Sequence, residues 1–215
     1  MLFRSGKSAH GAGPEQGINA GLALAHFLNS LQLDQGATDF LELTKDYLWQ
    51  DSQGVKLGLA FTDPELGSVT INPAKLSFGQ GQALIGLNWR YPTSYAFESN
   101  YQALEQELST KGYRLQLLSH QKPSQTSLDN PETQLLLDIY RKHTGDQTPP
   151  LAIGGITYGR VFERGITFGP SFLGKPATLH QPNEYIELED LWKALEIYLD
   201  SLYHLVTHQG QEISK

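Results

Sequence analysis

The stretch His120–Pro131, HQKPSQTSLDNP, is the one polar, proline- and serine-rich run inside the chain, and it limits the fold more than any other feature. Such a run carries too little apolar surface to cross a core, so it belongs on the outside, between two packed bodies. The 215 residues are therefore read as two segments, divided at about residue 122.

Upstream, GAGPEQGINAGLALAHFLNSL predicts a turn and then a helix, with Pro14 suited to a first turn. Ile18, Leu22, Ala25 and Leu28 recur at helical spacing, and Leu24 and Phe27 widen the stripe. ATDFLELTKDYLWQ predicts a second helix capped by Thr38 or Asp39. Residues 57–90 are rich in glycine and β-formers, and GSVTINP, KLSFGQ and QALIGLNWRYP predict three strands separated by turns. A helix is expected from Ser99 to Thr110, ended by Lys111-Gly112, then a strand from Arg114 to His120, with a further short strand at Leu2–Lys7.

Downstream, Asn130-Pro131 opens a helix that Gly145 stops. Short strands are expected around Leu151–Ile153 and at Ile166–Phe168. A last helix runs from about Leu188 to Val206, with Leu188, Leu191, Trp192, Leu195, Leu199 and Leu202 in helical period. No internal repeat occurs. The pattern predicts an α+β segment of about 120 residues followed by a shorter α/β segment.

Hydrophobic residues make up 39% and aromatics 10%, enough for a sizeable core. The net charge of -7 and the lack of any Lys/Arg run argue against nucleic-acid or anionic-membrane partners. With no cysteine there is no disulfide framework and no Cys-ligated zinc or iron-sulfur site, which fits a reducing cytoplasm. Apolar runs fall well short of the roughly 20 residues a spanning helix needs. MLFRSGKSAHG lacks the apolar core of a secretory signal.

Four stretches carry candidate chemistry, and each admits a plainer alternative. In GKSAHGAGPEQGINA, His10 lies among small residues that let a ligand approach, so it is either a donor to an oxyanion or a surface-loop histidine. In NWRYP, Arg90 ends an apolar strand between Trp89 and Tyr91. It is either a bidentate carboxylate clamp or an edge-strand arginine reaching solvent. In IGGITYGR, the amides of Gly154 and Gly155 with the hydroxyl of Thr157 form either an anion cradle or a tight turn into a helix. In LHQPNEYIELEDL, His180 precedes a Pro-Asn turn and is either a metal ligand, with Glu184 in reach of a supporting role, or a satisfied loop histidine. His204 and His208, spaced i,i+4 without an HExxH motif, are read as structural or as cations at a helix C-terminus. Glu187, Glu189 and Asp190 suit the N-terminal end of the last helix.

Taken in order, GKSAHGAGPEQGINA, NWRYP, GGITYGRVFERGITFG and LHQPNEYIELEDL resemble the C-terminal half of a zinc metallopeptidase family. That family includes acetylornithine deacetylase, carboxypeptidase G and dipeptidase V, and the likeness is nearest to the dipeptidase V group of Xaa-His dipeptidases. The resemblance implies that His10 polarises the scissile carbonyl and that Arg90 grips the C-terminal carboxylate. It implies that Gly154, Gly155, Thr157, Gly159 and Arg160 line the same carboxylate pocket, and that His180 is the last protein ligand of a two-zinc site. Ile156 departs from the glycine usual in that group.

The resemblance further implies a fold: a lid of helices on an antiparallel sheet over residues 1–122, then the C-terminal part of an α/β catalytic domain over 123–215. The family's other ligands and its general base reside in a His-x-Asp and a Glu-Glu pair, and neither occurs in this chain. The expectation is thus a C-terminal portion of a di-zinc dipeptidase, inactive alone, that self-associates or pairs with a missing N-terminal half. A non-catalytic binding or assembly module is the alternative.

Overall fold

A computed structural model of the chain describes residues 5–161, 167, 169, 171–175, 178 and 183–212. They form two compact units, residues 1–123 with 151–155 and residues 124–150 with 156–215. Helices and small antiparallel sheets make a mixed α+β architecture. Among the described residues no helix is long and apolar enough to cross a membrane.

In the first unit, a single 3-10 turn at Pro14–Gln16 leads into α1 (Ala20–Leu28). The Asn19 side chain caps α1, accepting from Leu22 N at 3.1 Å and donating to Pro73 O at 2.8 Å, so one amide both starts the helix and ties it to the sheet. α2 (Gln35–Tyr47) follows, capped by Asp34, whose carboxylate accepts from Ala37 N at 3.0 Å. The expected cap at Thr38 or Asp39 is corrected by one turn: Gln35, Gly36 and Ala37 already hold helical backbone, so those two residues lie inside the helix. Asn29 Nδ2 donates to Leu41 O at 2.8 Å and joins α1 to α2.

A minimal pair, β1 (Thr62–Asp63) with β2 (Gly67–Ser68), precedes the main hairpin of β3 (Thr70–Gly79) and β4 (Gln82–Arg90). The two strands expected separately from GSVTINP and KLSFGQ are one continuous strand. Pro73, which cannot donate to a ladder, is absorbed by a bulge between Pro73 and Lys75 that leaves Ala74 unpaired. α3 (Phe97–Thr110) closes the unit, beginning two residues earlier than expected. The core gathers Leu22, Tyr47, Leu48, Leu57, Leu59, Val69, Ile71, Tyr95, Phe97 and Leu104, with Trp89 and Tyr91 packed against it. Tyr47 OH donates to Glu107 at 2.7 Å and links α2 to α3.

Arg114–His120, expected as a strand, is irregular. Alternation gives a strand a face but not a partner, and no ladder reaches this segment; Leu118 stands 84% exposed. Leu151–Ile153 is likewise irregular rather than a strand, with Ile153 63% exposed. The strand expected at Leu2–Lys7 lies partly outside the described residues, and within them it is reduced to one bridge, Lys7 with Ile18. The strand expected at Ile166–Phe168 lies outside them, apart from Thr167.

In the second unit, α4 (Pro131–Thr144) is capped by Asn130, which accepts from Glu132 N at 2.9 Å, and it ends on Gly145 at φ 72°, a left-handed conformation that suits glycine. α5 (Leu188–Glu212) runs a turn and a half beyond the expected end. It packs on α4 through a buried line of Asp190, Ala194, Ile197 and Ser201. Glu187 and Asp190, expected to suit the helix end, both pair with Lys175, at 3.2 Å for Asp190. The two helices are also joined at Asp200. Its Oδ2 lies 2.8 Å from His143 Nε2 and 3.0 Å from Lys142 Nζ, and its Oδ1 lies 3.3 Å from His204 Nε2.

Candidate functional site

Arg90 is the last residue of β4, and its neighbours fix its backbone. Trp89 faces the core, 5.0 Å from the Phe97 ring, and Tyr91 stacks on the same ring at 5.0 Å. Phe97 in turn stacks on His120 at 4.1 Å, and the Tyr91 hydroxyl meets His120 Nε2. Burial, and then the charge of Glu98, raises the Tyr91 phenol above its ordinary value; burial, and then Tyr91, pushes Tyr95 up to about 12. The two phenols behind Arg90 are therefore uncharged at neutral pH.

Successive strand residues alternate faces, so with Trp89 inward Arg90 points outward. Its face of the hairpin also carries Asn88 and, by register, Asn72 opposite Asn88 and Thr70 opposite Arg90. Asn88 Oδ1 accepts from Arg90 Nε at 2.7 Å. Arg90 Nη1 donates to the carbonyl of Gly154. Among the described residues no carboxylate forms an ion pair with this guanidinium. Among the described residues Arg90 is thus held by neutral acceptors alone.

The loop that carries His10 lies against this arginine. A Cβ on Gly11 would sit 3.2 Å from Arg90 Nη2 and 3.7 Å from both Asn72 Nδ2 and Asn88 Oδ1. A Cβ on Gly154 would collide with the Ala12 methyl, so close passage of the two backbones requires glycine there. Ala12 N donates to His10 Nδ1 at 3.3 Å, and Gly13 N donates to His10 O at 2.9 Å. An accepting Nδ1 assigns the proton of the neutral ring to Nε2.

The structure thus brings the His10 loop, Arg90, Gly154 and Gly155 into one unit. Thr157 and Gly159 belong to the other unit, where Thr157 Oγ1 lies 3.1 Å from Thr167 Oγ1 and Gly159 sits in a 3-10 turn, Tyr158–Val161. The Arg160 and His208 side chains and all of His180 lie outside the described residues. Asn88, Asn72 and Gly11 escape a reading of motifs alone. The signal for the asparagines was the alternation of the strand, which puts Asn88 on the face of Arg90.

The family resemblance implies a metal. Among the described residues no group of three or more His, Cys, Asp or Glu side chains could hold a metal ion. Asp200 gathers two histidines, but Lys142 competes for the same oxygen and disfavours a cation there. The described residues do not fit a two-zinc cage, and no chemical step is derived through one.

Residues 9–204 match the profile of Peptidase family M20/M25/M40. A Staphylococcus saprophyticus protein named "Putative dipeptidase" is 38% identical over 210 residues, covering 97% of this chain and 45% of that protein. A protein of the same name from Staphylococcus epidermidis is 39% identical over 206 residues, covering 95% of this chain and 44% of its own length. One from Staphylococcus haemolyticus is 37% identical with the same coverage. The chain spans less than half the length of these curated relatives.

Proposed function

This chain belongs to Peptidase family M20/M25/M40, and from that premise we propose that it is the substrate-gripping, C-terminal portion of a metal-dependent dipeptidase. The observation that carries the reading is Arg90, held by an amide oxygen and a carbonyl, paired with no carboxylate among the described residues and packed against Gly11 of the His10 loop. A guanidinium so placed takes a carboxylate through its outer fork. His10, with its proton on Nε2, is a donor of the type that stabilises an oxyanion on the scissile carbonyl. By the family likeness, Thr157, Gly159 and Arg160 serve carboxylate binding, and His180 would be one ligand of a two-zinc pair. Such metals would supply an activated water, and the remaining ligands and the base would belong to the length that the relatives have and this chain does not span. Residues 1–122 are the lid and 123–215 the end of the catalytic domain of a cytoplasmic enzyme.

The alternative, an assembly module, draws on α5. Leu188, Trp192, Leu195, Leu199, Leu202 and Val206 follow a four-three spacing on the side away from α4, and all are exposed, Trp192 at 64% and Leu199 at 67%. Leu191 and Tyr198 broaden that stripe beyond a coiled-coil seam. A stripe this wide packs on the body of a domain, and the relatives' remaining length is the natural occupant. Both readings are compatible in one protein: the portion here grips, and the rest cuts.

Titration of the chain with L-alanyl-L-histidine, followed by NMR, tests the gripping role. Binding should vanish in Arg90→Ala and with the C-terminal amide of the same dipeptide; equal affinity for acid and amide overturns it. Hydrolysis of that dipeptide by the chain alone, with added zinc, should be absent, and robust turnover surviving stringent purification would overturn the division of labour.

A further inference from the structure

We propose that Asn88 is a positioning residue that aims the Arg90 guanidinium without neutralising it; this rests on the carboxylate-gripping reading of Arg90. Arginine carries a long, rotamer-rich side chain, and holding it in one pose costs entropy at the moment of binding unless something holds it beforehand. Here two fixed points do so. Asn88 Oδ1 accepts from Nε at 2.7 Å, and the Gly154 carbonyl accepts from Nη1. Asn88 stands two residues before Arg90 on the same strand face, and its backbone is locked by the β3–β4 ladder through its pairing with Asn72. The flanking Trp89 is anchored in the aromatic cluster, so the platform beneath both side chains is rigid.

The chemistry of residue 88 matters as much as its place. A carboxylate there would hold Nε equally well but would pair with the guanidinium charge and compete with the substrate's own carboxylate. An amide oxygen orients and leaves the charge unspent. Nη2 lies against Gly11, 3.2 Å from where a Cβ on that residue would stand, so the remaining edge of the fork borders the His10 loop. Asn72 Nδ2 lies beside the same glycine, 3.7 Å from that position, and adds a neutral donor near the guanidinium.

Two variants and a ligand-free readout test this. In the 15N-labelled chain the Arg90 Nε–H signal, assigned by its loss in Arg90→Lys, should exchange slowly with water. Asn88→Ala should speed that exchange and weaken L-alanyl-L-histidine binding by about fivefold, the worth of roughly one hydrogen bond. Asn88→Asp should keep Nε–H protected yet weaken binding by about tenfold or more, because the charge is paired. The chain's methyl spectrum, unchanged in both variants, reports that the fold is kept. Protection and affinity unaltered in Asn88→Ala, or wild-type affinity in Asn88→Asp, overturn the positioning role while leaving the gripping reading intact. A wild-type chain that binds acid and amide alike overturns the gripping reading and this role with it.

Discussion

At the scale of single residues, the site depends on how closely two backbones pass. The Gly154 carbonyl reaches Arg90 only because residue 154 has no side chain to meet the Ala12 methyl. Gly154→Ala should push the His10 loop away, lower stability by about 1–3 kcal/mol as overpacking does, and weaken dipeptide binding. Adding Ala12→Gly in the same chain removes the opposing methyl and should restore both. Urea midpoints and NMR titration check this, and a double variant as impaired as the single one would refute the steric account. The place of Arg90 at a strand end between two aromatics was legible in the sequence, but the residues alone equally allowed an edge arginine reaching solvent, and its carboxylate role came only from the resemblance. Asn88 was not legible, since an alternating polar residue on a strand reads as ordinary solvent face until its side-chain partner is known.

At the scale of elements, the α4–α5 pair is pinned at Asp200, faced by Lys142 and His143 from α4 and by His204 on its own helix. His143, and then Lys142, holds this carboxyl below its usual value. A lowered carboxyl contributes stability that is present above the unfolded value, about pH 3.9, and is lost as pH falls through the lowered folded value. Urea midpoints of the chain should therefore fall more steeply below about pH 4 than those of Asp200→Asn. Parallel curves for the two would remove this clamp from the account. Elements with their own local signals were legible: Asn130, Pro131 and Gly145 mark both ends of α4 because caps are satisfied within a few residues. Residues 114–120 and 151–153 were not, because a strand exists only by virtue of its partner, and periodicity carries no information about one. The end of α5 was misjudged because the residues after Val206 lack apolar period yet continue the helix.

At the scale of the molecule, one side of α5 remains apolar and uncovered over about 27 Å, at 1.5 Å rise per residue between Leu188 and Val206. The chain alone should therefore associate as concentration rises, and the double change Trp192→Gln with Leu199→Gln should suppress this in sedimentation velocity. A wild-type chain that stays monomeric at all concentrations would count against an interface on this helix. Tolerance to changes in length also differs along the chain. A strand counts in twos, and Ile71 and Leu76, an odd interval apart, both turn toward the core only because Ala74 is skipped in the ladder. Removing that one alanine would set the two ends of β3 at odds, so that either Leu76 turns to water or Asn72 leaves the face it shares with Arg90. An insertion in the 120–131 run would upset no such parity. The spacing of β3, more than the identity of its residues, keeps the arginine's face polar and its reverse greasy.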